Sequence, residues 1–364
     1  MRGCGVLARM KWSWVLMAWC LLVSIPVCAA ETGKELYEAA CASCHGRDGR
    51  GAPEGSRIQV PLPDFADCPF VTAETTGNWV ALVADGGPAL GLSDQMPSFS
   101  DSLSEEQIRE VIAYLRGFCP DPSWPAADLN FRRLLVTGKA FPEDEAVWTV
   151  SFEKSRESRS LVNEFIFEKR LGARGQVEVT LPIVYNDPKG SAATGGVGDL
   201  ELQYKHVLLA SREYGAIASL ALDLVLPTGD RDRGLGDGTV GLGPSLRAGK
   251  TLGPFVMQGE IKAVLPADVD LAARRLLYRA ALQLPLSPLK SGWVTALEFE
   301  ADTKIEGQSR DVYSLAPMIY KGLSKRGHVA FAVGAKIPVA GAQAFDYQIG
   351  AFLLWEYLDG GLWW

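Results

Sequence analysis

The chain has 364 residues, of which 48% are hydrophobic and 22% are charged, and its formal net charge is −7. This length favours about two domains, and the composition excludes a disordered chain. The negative charge, together with the lack of any Lys/Arg cluster in the sequence, argues against nucleic acid as a partner.

Residues 1–30 have the three-part pattern of a secretory signal peptide. A basic start is followed by an apolar run, and the small residues Cys28, Ala29 and Ala30 end it. The pattern predicts cleavage after Ala30 and export. The alternatives are a retained anchor, for which the run is short, and a lipoprotein modified at Cys28, which Pro26 and Val27 disfavour.

Residues 31–119 are predicted to form helices joined by loops. Apolar residues recur at helical spacing in KELYEAACASC, in TGNWVALVADG and in SEEQIREVIAYLRGF. The last of these stretches opens with Ser104 and Gln107 as a capping box. Three prolines in CPDPSWP, at 119–125, then break the pattern, and residues 120–144 are predicted as a linker.

The stretch CASCHGRDGRG, at 41–51, contains the spacing of a c-type haem attachment motif. Cys41 and Cys44 suit addition to the two vinyl groups of a haem, and His45 suits coordination of the iron. Zinc sites and thiol redox enzymes also use Cys-x-x-Cys, but the former need a second ligand pair nearby and the latter a βαβ context. The sequence offers neither, and export supplies the compartment for attachment. We therefore predict one covalent haem c.

Met96 is predicted as the second axial ligand of the iron. It is the only methionine of residues 31–119, which hold no histidine besides His45, and Pro97 stiffens its loop. A lone methionine is usually a core residue, but the loop LSDQMPSF has little core to fill. A thioether ligand raises the reduction potential relative to two imidazoles.

Four cysteines remain once the signal peptide is removed. Cys41 and Cys44 act as one unit, and Cys68 with Cys119 could close a disulfide in an oxidising compartment. The alternative is two separate buried thiols.

Residues 31–119 resemble the class I c-type cytochromes, with the haem motif, a helix, the methionine loop and a final amphipathic helix in order. The resemblance implies an electron carrier with no open coordination position rather than an enzyme. By analogy Trp79, Tyr114 and Leu115 pack near the macrocycle, or simply in the core. Six Lys/Arg against fourteen Asp/Glu, a net of about −8, favour basic redox partner proteins, or merely keep the surface soluble.

Beyond residue 145 the apolar residues alternate with a period of two, which predicts strands. Most segments have ten or more residues, which is long for a soluble sandwich and suits tilted strands crossing a bilayer. Twelve segments show this pattern: 146–155, 160–170, 174–185, 197–209, 214–227, 238–249, 254–265, 273–284, 291–302, 311–321, 327–338 and 344–357.

The connections after even-numbered segments are short and those after odd-numbered segments are mostly longer, as in bacterial outer-membrane barrels. This rule places both ends of the barrel on the side that faces the periplasm. The second face of the strands carries charges of both signs, which predicts a small polar lumen laced with ion pairs. In a soluble sandwich, the alternative, it would be the solvated face.

The stretches GGVGDLELQYK (195–205) and LGDGTVGLGPSLRAGK (235–250) are similar to outer-membrane β-barrels, including a family described as phenol-degradation-pathway or transporter-like barrels. Trp364 matches the terminal aromatic residue that such proteins use for assembly. Asp359, Gly360 and Gly361, however, interrupt the last strand.

The sequence thus predicts a multidomain chain with a signal peptide (1–30), an all-α c-type cytochrome domain (31–119), a linker (120–144) and an antiparallel β-barrel of about 12 strands (145–364). The first hypothesis for its function is electron transfer by a periplasmic cytochrome domain that the barrel tethers to outer-membrane lipid.

Two further hypotheses remain open. The domain order is similar to that of fused cytochrome–porin proteins that oxidise ferrous iron, with the haem at or in the barrel mouth. If the domain were inserted, His328 could compete as a ligand, but twelve strands leave little room. The third hypothesis is a channel or transporter with a redox-active cytochrome domain.

Overall fold

The structure is a computed structural model that describes residues 32–58, 60–308 and 310–357. The predicted signal peptide and the terminal Trp364 lie outside the described residues. Two parts follow each other along the chain: a helical domain up to residue 119, and a barrel from residue 145.

The helical domain is built from short helices around one apolar core. Thr32 and Ser104 cap the two helices that contact each other most closely, α1 and α5, each with a full capping box. The stripe predicted on α5 is buried against α1, which joins the two ends of the domain. The helices are α1 (Gly33–Ala40), α2 (Ala42–His45), α3 (Cys68–Ala73), α4 (Thr76–Asp85) and α5 (Glu105–Arg116), with a 3₁₀ turn at Gly87–Leu90.

A disulfide between Cys68 and Cys119 ties the start of α3 to the end of α5. Among the described residues no helix is long and apolar enough to cross a membrane.

The strands form a single antiparallel sheet that closes on itself, because β2 pairs with both β1 and β3 and β1 pairs with β13. Strands β4 and β5 occupy one position beside β3, so the ring has twelve positions, as predicted. The strands are β1 (Glu145–Lys154), β2 (Ser158–Leu171), β3 (Gly175–Pro188), β4 (Thr194–Val197), β5 (Leu200–Ser211), β6 (Ala216–Leu226), β7 (Gly241–Leu252), β8 (Phe255–Pro266), β9 (Arg274–Pro285), β10 (Trp293–Glu306), β11 (Val312–Gly322), β12 (Val329–Gly341) and β13 (Tyr347–Glu356).

The two faces of the strands decide between a barrel and a soluble sandwich. On β10, Leu297 and Phe299 are 48% and 40% exposed, whereas Glu298 and Glu300 are 1% and 5% exposed. The apolar face therefore points outward and the charged face inward, the reverse of a soluble sandwich. An apolar exterior around a polar interior is the arrangement of a membrane barrel.

The first residue of β1 pairs with the last residue of β13, so both ends of the barrel lie at one end of the ring. We call this end the near end. The contrast in loop length is weaker than the sequence suggests, because β3 and β10 extend into their predicted loops. At the near end, the connection at 286–292 is longer than the one at 307–311 at the opposite end, which we call the far end. The long loop of the far end is 227–240.

Inside the ring, charges are arranged in chains of opposite sign. Arg247 and Arg279 both bind Glu260, with nitrogen–oxygen distances of 2.8 Å, and Arg279 also binds Glu300 at 2.7 Å. Lys336 binds the other oxygen of Glu300. The predicted lumen laced with ion pairs is confirmed, and these pairs lower the cost of burying the charges.

Residues 129–143, which we call the lumen segment, lie inside the barrel. The main chain of Arg132 accepts hydrogen bonds from Gln258 and Gln283, and Glu143 donates its N–H to Gln176. The predicted linker is therefore not an exposed spacer. Its second half fills the lumen from the near end, and nothing in its composition signals this.

The helical domain sits on the near end of the barrel through polar contacts. Asn78 donates to the carbonyl of Arg326 and accepts the N–H of Lys290, and a Cβ at Gly77 would lie 2.2 Å from the carbonyl oxygen of Pro288. Arg116 binds Asp128 at 2.7 Å, which fixes the chain just before it enters the lumen.

His328 joins the two parts of the chain. Its Nε2 lies 2.9 Å from Glu74 of the helical domain, and its Nδ1 lies 2.7 Å from Glu356 of the last strand. Both ring nitrogens thus face carboxylates, which makes His328 a bridge between domains rather than a competing iron ligand.

The first prediction concerns the disulfide. Replacing Cys68 and Cys119 by Ser frees a loop of 51 residues, and we expect the helical domain to lose about 4 kcal/mol of stability. Urea unfolding followed by tryptophan fluorescence, with and without reductant, measures the loss. An unfolding midpoint that does not move in the double variant would contradict it.

The second prediction is that docking of the helical domain weakens at high pH. Burial alone lowers the pKa of His328, but its hydrogen bonds to Glu356 and Glu74 outweigh burial and raise the pKa to about 9. Because this value lies above the ordinary 6.5, the stabilisation is full below about pH 6.5 and is lost as the pH rises through about 9.

Proteolysis at residues 120–128 should therefore accelerate between about pH 8 and pH 10 in the parent protein. In His328→Gln the rate should be high and nearly independent of pH over this range. His206→Gln serves as the control, because His206 lies exposed on the outer face of β5 and should leave the parental profile unchanged.

Candidate functional site

One turn of the chain places the predicted haem-binding side chains together. Cys41 ends α1, its N–H donating to Tyr37, and the N–H groups of Cys44 and His45 both donate to the carbonyl of Cys41. The hydroxyl of Tyr37 donates to the carbonyl of Gly46 at 2.7 Å, which closes the turn behind His45. The two thiols and the imidazole thus lie within a single turn.

The thiols of Cys41 and Cys44 are both free, in contrast to the disulfide-bonded pair of the same domain. Burial, together with the neighbouring Cys44, raises the pKa of Cys41 to about 11. Because neither sulfur is in a disulfide, both are available for thioether bonds.

His45 lies against an aromatic wall. Its ring centroid is 5.1 Å from that of Phe65, which in turn lies 5.6 Å from Trp79. Burial lowers the pKa of His45, so its imidazole is neutral near pH 7, which is the form that binds a metal. Its Nδ1 is buried and has no hydrogen-bond partner among the described residues.

The Met96 loop returns to the same core. Met96 packs against the apolar cluster that contains Phe65, Trp79 and Val83. Its main-chain oxygen accepts the N–H of Gly87 at 3.0 Å, and a Cβ on Gly87 would lie 1.9 Å from the carbonyl oxygen of Ser93. Only glycine allows this close approach, so the loop that carries Met96 depends on Gly87, the first residue of the 3₁₀ turn.

The other two methionines of the described residues lie in the barrel. Met257 is 44% exposed on the outer face, and Met318 is buried among barrel strands. Neither belongs to the helical domain, which leaves Met96 as the thioether that packs on the core beside His45.

The side chains present fit a haem. Two thiols, a neutral imidazole and a thioether are the donors that a covalently bound haem with two axial ligands requires. Trp79 Nε1 is buried with no hydrogen-bond partner among the described residues, and an indole N–H suits a carboxylate such as a haem propionate. When bound, the haem supplies a one-electron centre.

The structure adds residues that the sequence did not indicate. Phe65 lies beside His45, and Phe70, 42% exposed, lies 6.4 Å from Phe65 between ring centroids. Tyr114 and Leu115, which the sequence did indicate, pack in the same core: Tyr114 lies against Tyr37, and Leu115 is buried. Phe65 follows two prolines in PLPDF, where no periodicity marks a buried residue.

Comparison with known proteins identifies the helical domain. Residues 29–115 match the family model described as cytochrome C oxidase, cbb3-type, subunit III. Over 93 residues the chain is 32% identical to the cytochrome c subunit of alcohol dehydrogenase (quinone) from Gluconacetobacter polyoxogenes, and equally so to that from Komagataeibacter europaeus. The match covers 24% of this chain and 19% of each relative, so the chain spans about a fifth of the length of these relatives.

Two solved outer-membrane proteins are similar to more than half of the chain. The COG4313 outer membrane channel from Pseudomonas putida F1 is 16% identical with a TM-score of 0.46, covering 59% of this chain and 96% of that one. The KdgM porin is 6% identical with a TM-score of 0.41, covering 58% of this chain and 98% of that one.

The family match, the Cys-x-x-Cys-His turn and the ring of strands lead to one description of the chain. A cytochrome c domain of the cbb3 type at residues 29–115, which implies a haem c cofactor, is fused to a closed antiparallel barrel with twelve strand positions.

Proposed function

We propose that this chain is an electron-transfer protein that carries one covalent haem c at the near end of an outer-membrane barrel. Cys41 and Cys44 hold the haem, and His45 and Met96 are the axial ligands of its iron. The cytochrome domain faces the periplasm, where it exchanges single electrons with redox partner proteins. A thioether ligand favours the reduced iron and so a raised reduction potential.

One observation carries this proposal: Cys41, with the free Cys44 one turn on, the half-buried neutral imidazole of His45 and the only methionine of the domain lie against one aromatic core. With both axial positions taken by protein side chains, the iron has no open position for substrate. Electron transfer is the chemistry that remains. The relatives in alcohol dehydrogenase (quinone) are cytochrome c subunits, which is in keeping with a carrier role.

The proposed location in the outer membrane is supported by the apolar outer surface of the barrel. Large apolar side chains on many of its strands point outward and are 37–57% exposed, as a lipid-facing belt requires. The cytochrome domain lies at the end where β1 starts and β13 ends. In a bacterial barrel this end faces the periplasm, the compartment in which haem c is attached.

The partner should be basic. The cytochrome domain has fourteen acidic and six basic residues, so its field attracts positively charged redox proteins and repels acidic ones. Steering of this kind weakens as ionic strength rises.

Oxidation of ferrous iron by a haem inside the barrel is a weaker candidate. Residues 129–143 already occupy the lumen, and the cytochrome domain makes its contacts with the turns outside it. Addition of ferrous iron to intact cells tests this candidate, because iron outside the cell should leave a periplasmic haem oxidised.

The third prediction tests the axial ligand. In Met96→Ala the oxidised protein should lose the weak long-wavelength sulfur–iron band of its absorption spectrum, and its reduction potential should fall. Met257→Ala is the matched control, because this methionine lies on the outer face of the barrel. Both changes are followed by redox-poised spectra of the membrane fraction.

A parent protein without the sulfur–iron band would disprove ligation by Met96. Haem that remains covalently bound in Met96→Ala, seen by haem staining after denaturing electrophoresis, separates loss of the ligand from loss of the cofactor.

A further inference from the structure

The tip of the lumen segment reaches the middle of the barrel. A Cβ on Gly334 would lie 2.6 Å from Leu135, and one on Gly138 would lie 2.6 Å from the carboxylate of Glu260. Gly334 and Glu260 are each the sixth residue from the near end of their strands. The segment therefore enters from the near end, turns about halfway through and returns to β1.

Contacts of the segment extend around the whole ring. Its main-chain and side-chain groups meet inward-facing residues from most of the strands, so it lies across the lumen rather than along one wall. They include Glu168, Gln176, Lys205, Gln258, Glu298 and Gly350, which come from six different strands.

Glu298 holds the tip of the segment. Its carboxylate accepts the N–H groups of three successive residues: Leu135 at 2.9 Å, Val136 at 3.1 Å and Thr137 at 2.7 Å. The side chain is 1% exposed. Three successive N–H groups that converge on one anion form a concave site for negative charge.

Glu298 differs from two other buried acids of the lumen, Glu260 on β8 and Glu300 on its own strand, β10. Glu260 and Glu300 are balanced by arginine and lysine side chains of the barrel wall. Among the described residues no Lys, Arg or His lies within 4.0 Å of the carboxylate of Glu298. The charge of Glu298 is therefore stabilised mainly by the N–H groups of the segment. If the segment left the lumen, the buried carboxylate would lose these donors.

We propose that the lumen segment seals the barrel against ions and small solutes, and that Glu298 is the latch that keeps the seal closed. The barrel conducts only when residues 134–138 leave their place. This proposal is independent of haem ligation and of the direction of electron flow, because it concerns the barrel and its plug alone.

Single-channel recording in planar lipid bilayers, with the full-length haem-loaded protein, tests the seal. The parent protein should show almost no channel openings. Glu298→Gln keeps the size of the side chain but removes its charge, and hydrogen bonds to charged groups are stronger than those to neutral ones. The open fraction should then rise about tenfold or more.

The fourth prediction includes a matched control on the same strand. Glu300 lies two residues along on the same inward face and is bonded to Arg279 and Lys336 rather than to the segment. Glu300→Gln should therefore keep the parental conductance, although it also removes a buried charge.

A second variant covers the case in which Glu298→Gln fails to assemble. Arg133 and Lys139 both reach Glu145, at 3.6 and 3.2 Å, so the two ends of the tip lie side by side. Replacing residues 134–138 by a flexible glycine bridge removes the tip and keeps the residues that make these two contacts with the wall. This variant should conduct in regular steps.

Two results would overturn the proposal. One is a parent protein that conducts as much as the variant without the tip. The other is a variant that lacks the tip, resists heat as a folded barrel does on electrophoresis, and still passes no current. Equal opening of Glu298→Gln and Glu300→Gln would remove the latch role from Glu298.

Discussion

The burial of charge inside a narrow ring of strands is the constraint on which the rest of the structure depends. Each inward-facing acid needs an opposite charge or a set of N–H donors, because an unpaired buried ion is very costly. Glu260 and Glu300 find arginine and lysine on neighbouring strands. Glu298 finds the main chain of the segment that precedes the barrel. The barrel wall and this segment thus supply hydrogen-bond partners for each other's buried polar groups.

This constraint also fixes the position of the cytochrome domain. Arg116, at the end of α5, binds Asp128 just before the chain enters the lumen. The path from the end of α5 to the entry of the chain into the lumen is short. The domain must therefore lie at the near end of the ring, where Asn78 and Glu74 contact the turns. The site of the haem follows from the path of the linker as much as from the docking surface.

Local patterns were sufficient to predict much of the molecule. The helical turn at Cys41–His45, the capping box at Ser104 and the alternation in β10 each depend on neighbours in the chain, and each matches the structure. The inward charges were predicted to pair because both signs share one face. The two ends of the barrel were predicted to lie on one side, and their residues Glu145 and Glu356 are cross-strand partners.

Other features depend on residues far apart in sequence, which no periodicity reveals. Glu74 and His328 are 254 positions apart, and Leu135 and Glu298 are 163 apart. A linker rich in proline at its start offers no sign that its second half lies in a lumen. The predicted difference in loop length between the two ends of the barrel was too large for a simpler reason. Strands β3 and β10 continue through polar residues that resemble loop sequence.

The glycines that face the lumen segment show which part of the chain must stay with the barrel when domains are exchanged. Gly249 leaves room for Phe131, and Gly334 leaves room for Leu135. A barrel grafted from its first strand onward would carry these hollows without the side chains that fill them. The haem domain could therefore be replaced at residue 128 but not at residue 144, since residues 129–143 belong to the barrel in packing, although they precede it in the chain.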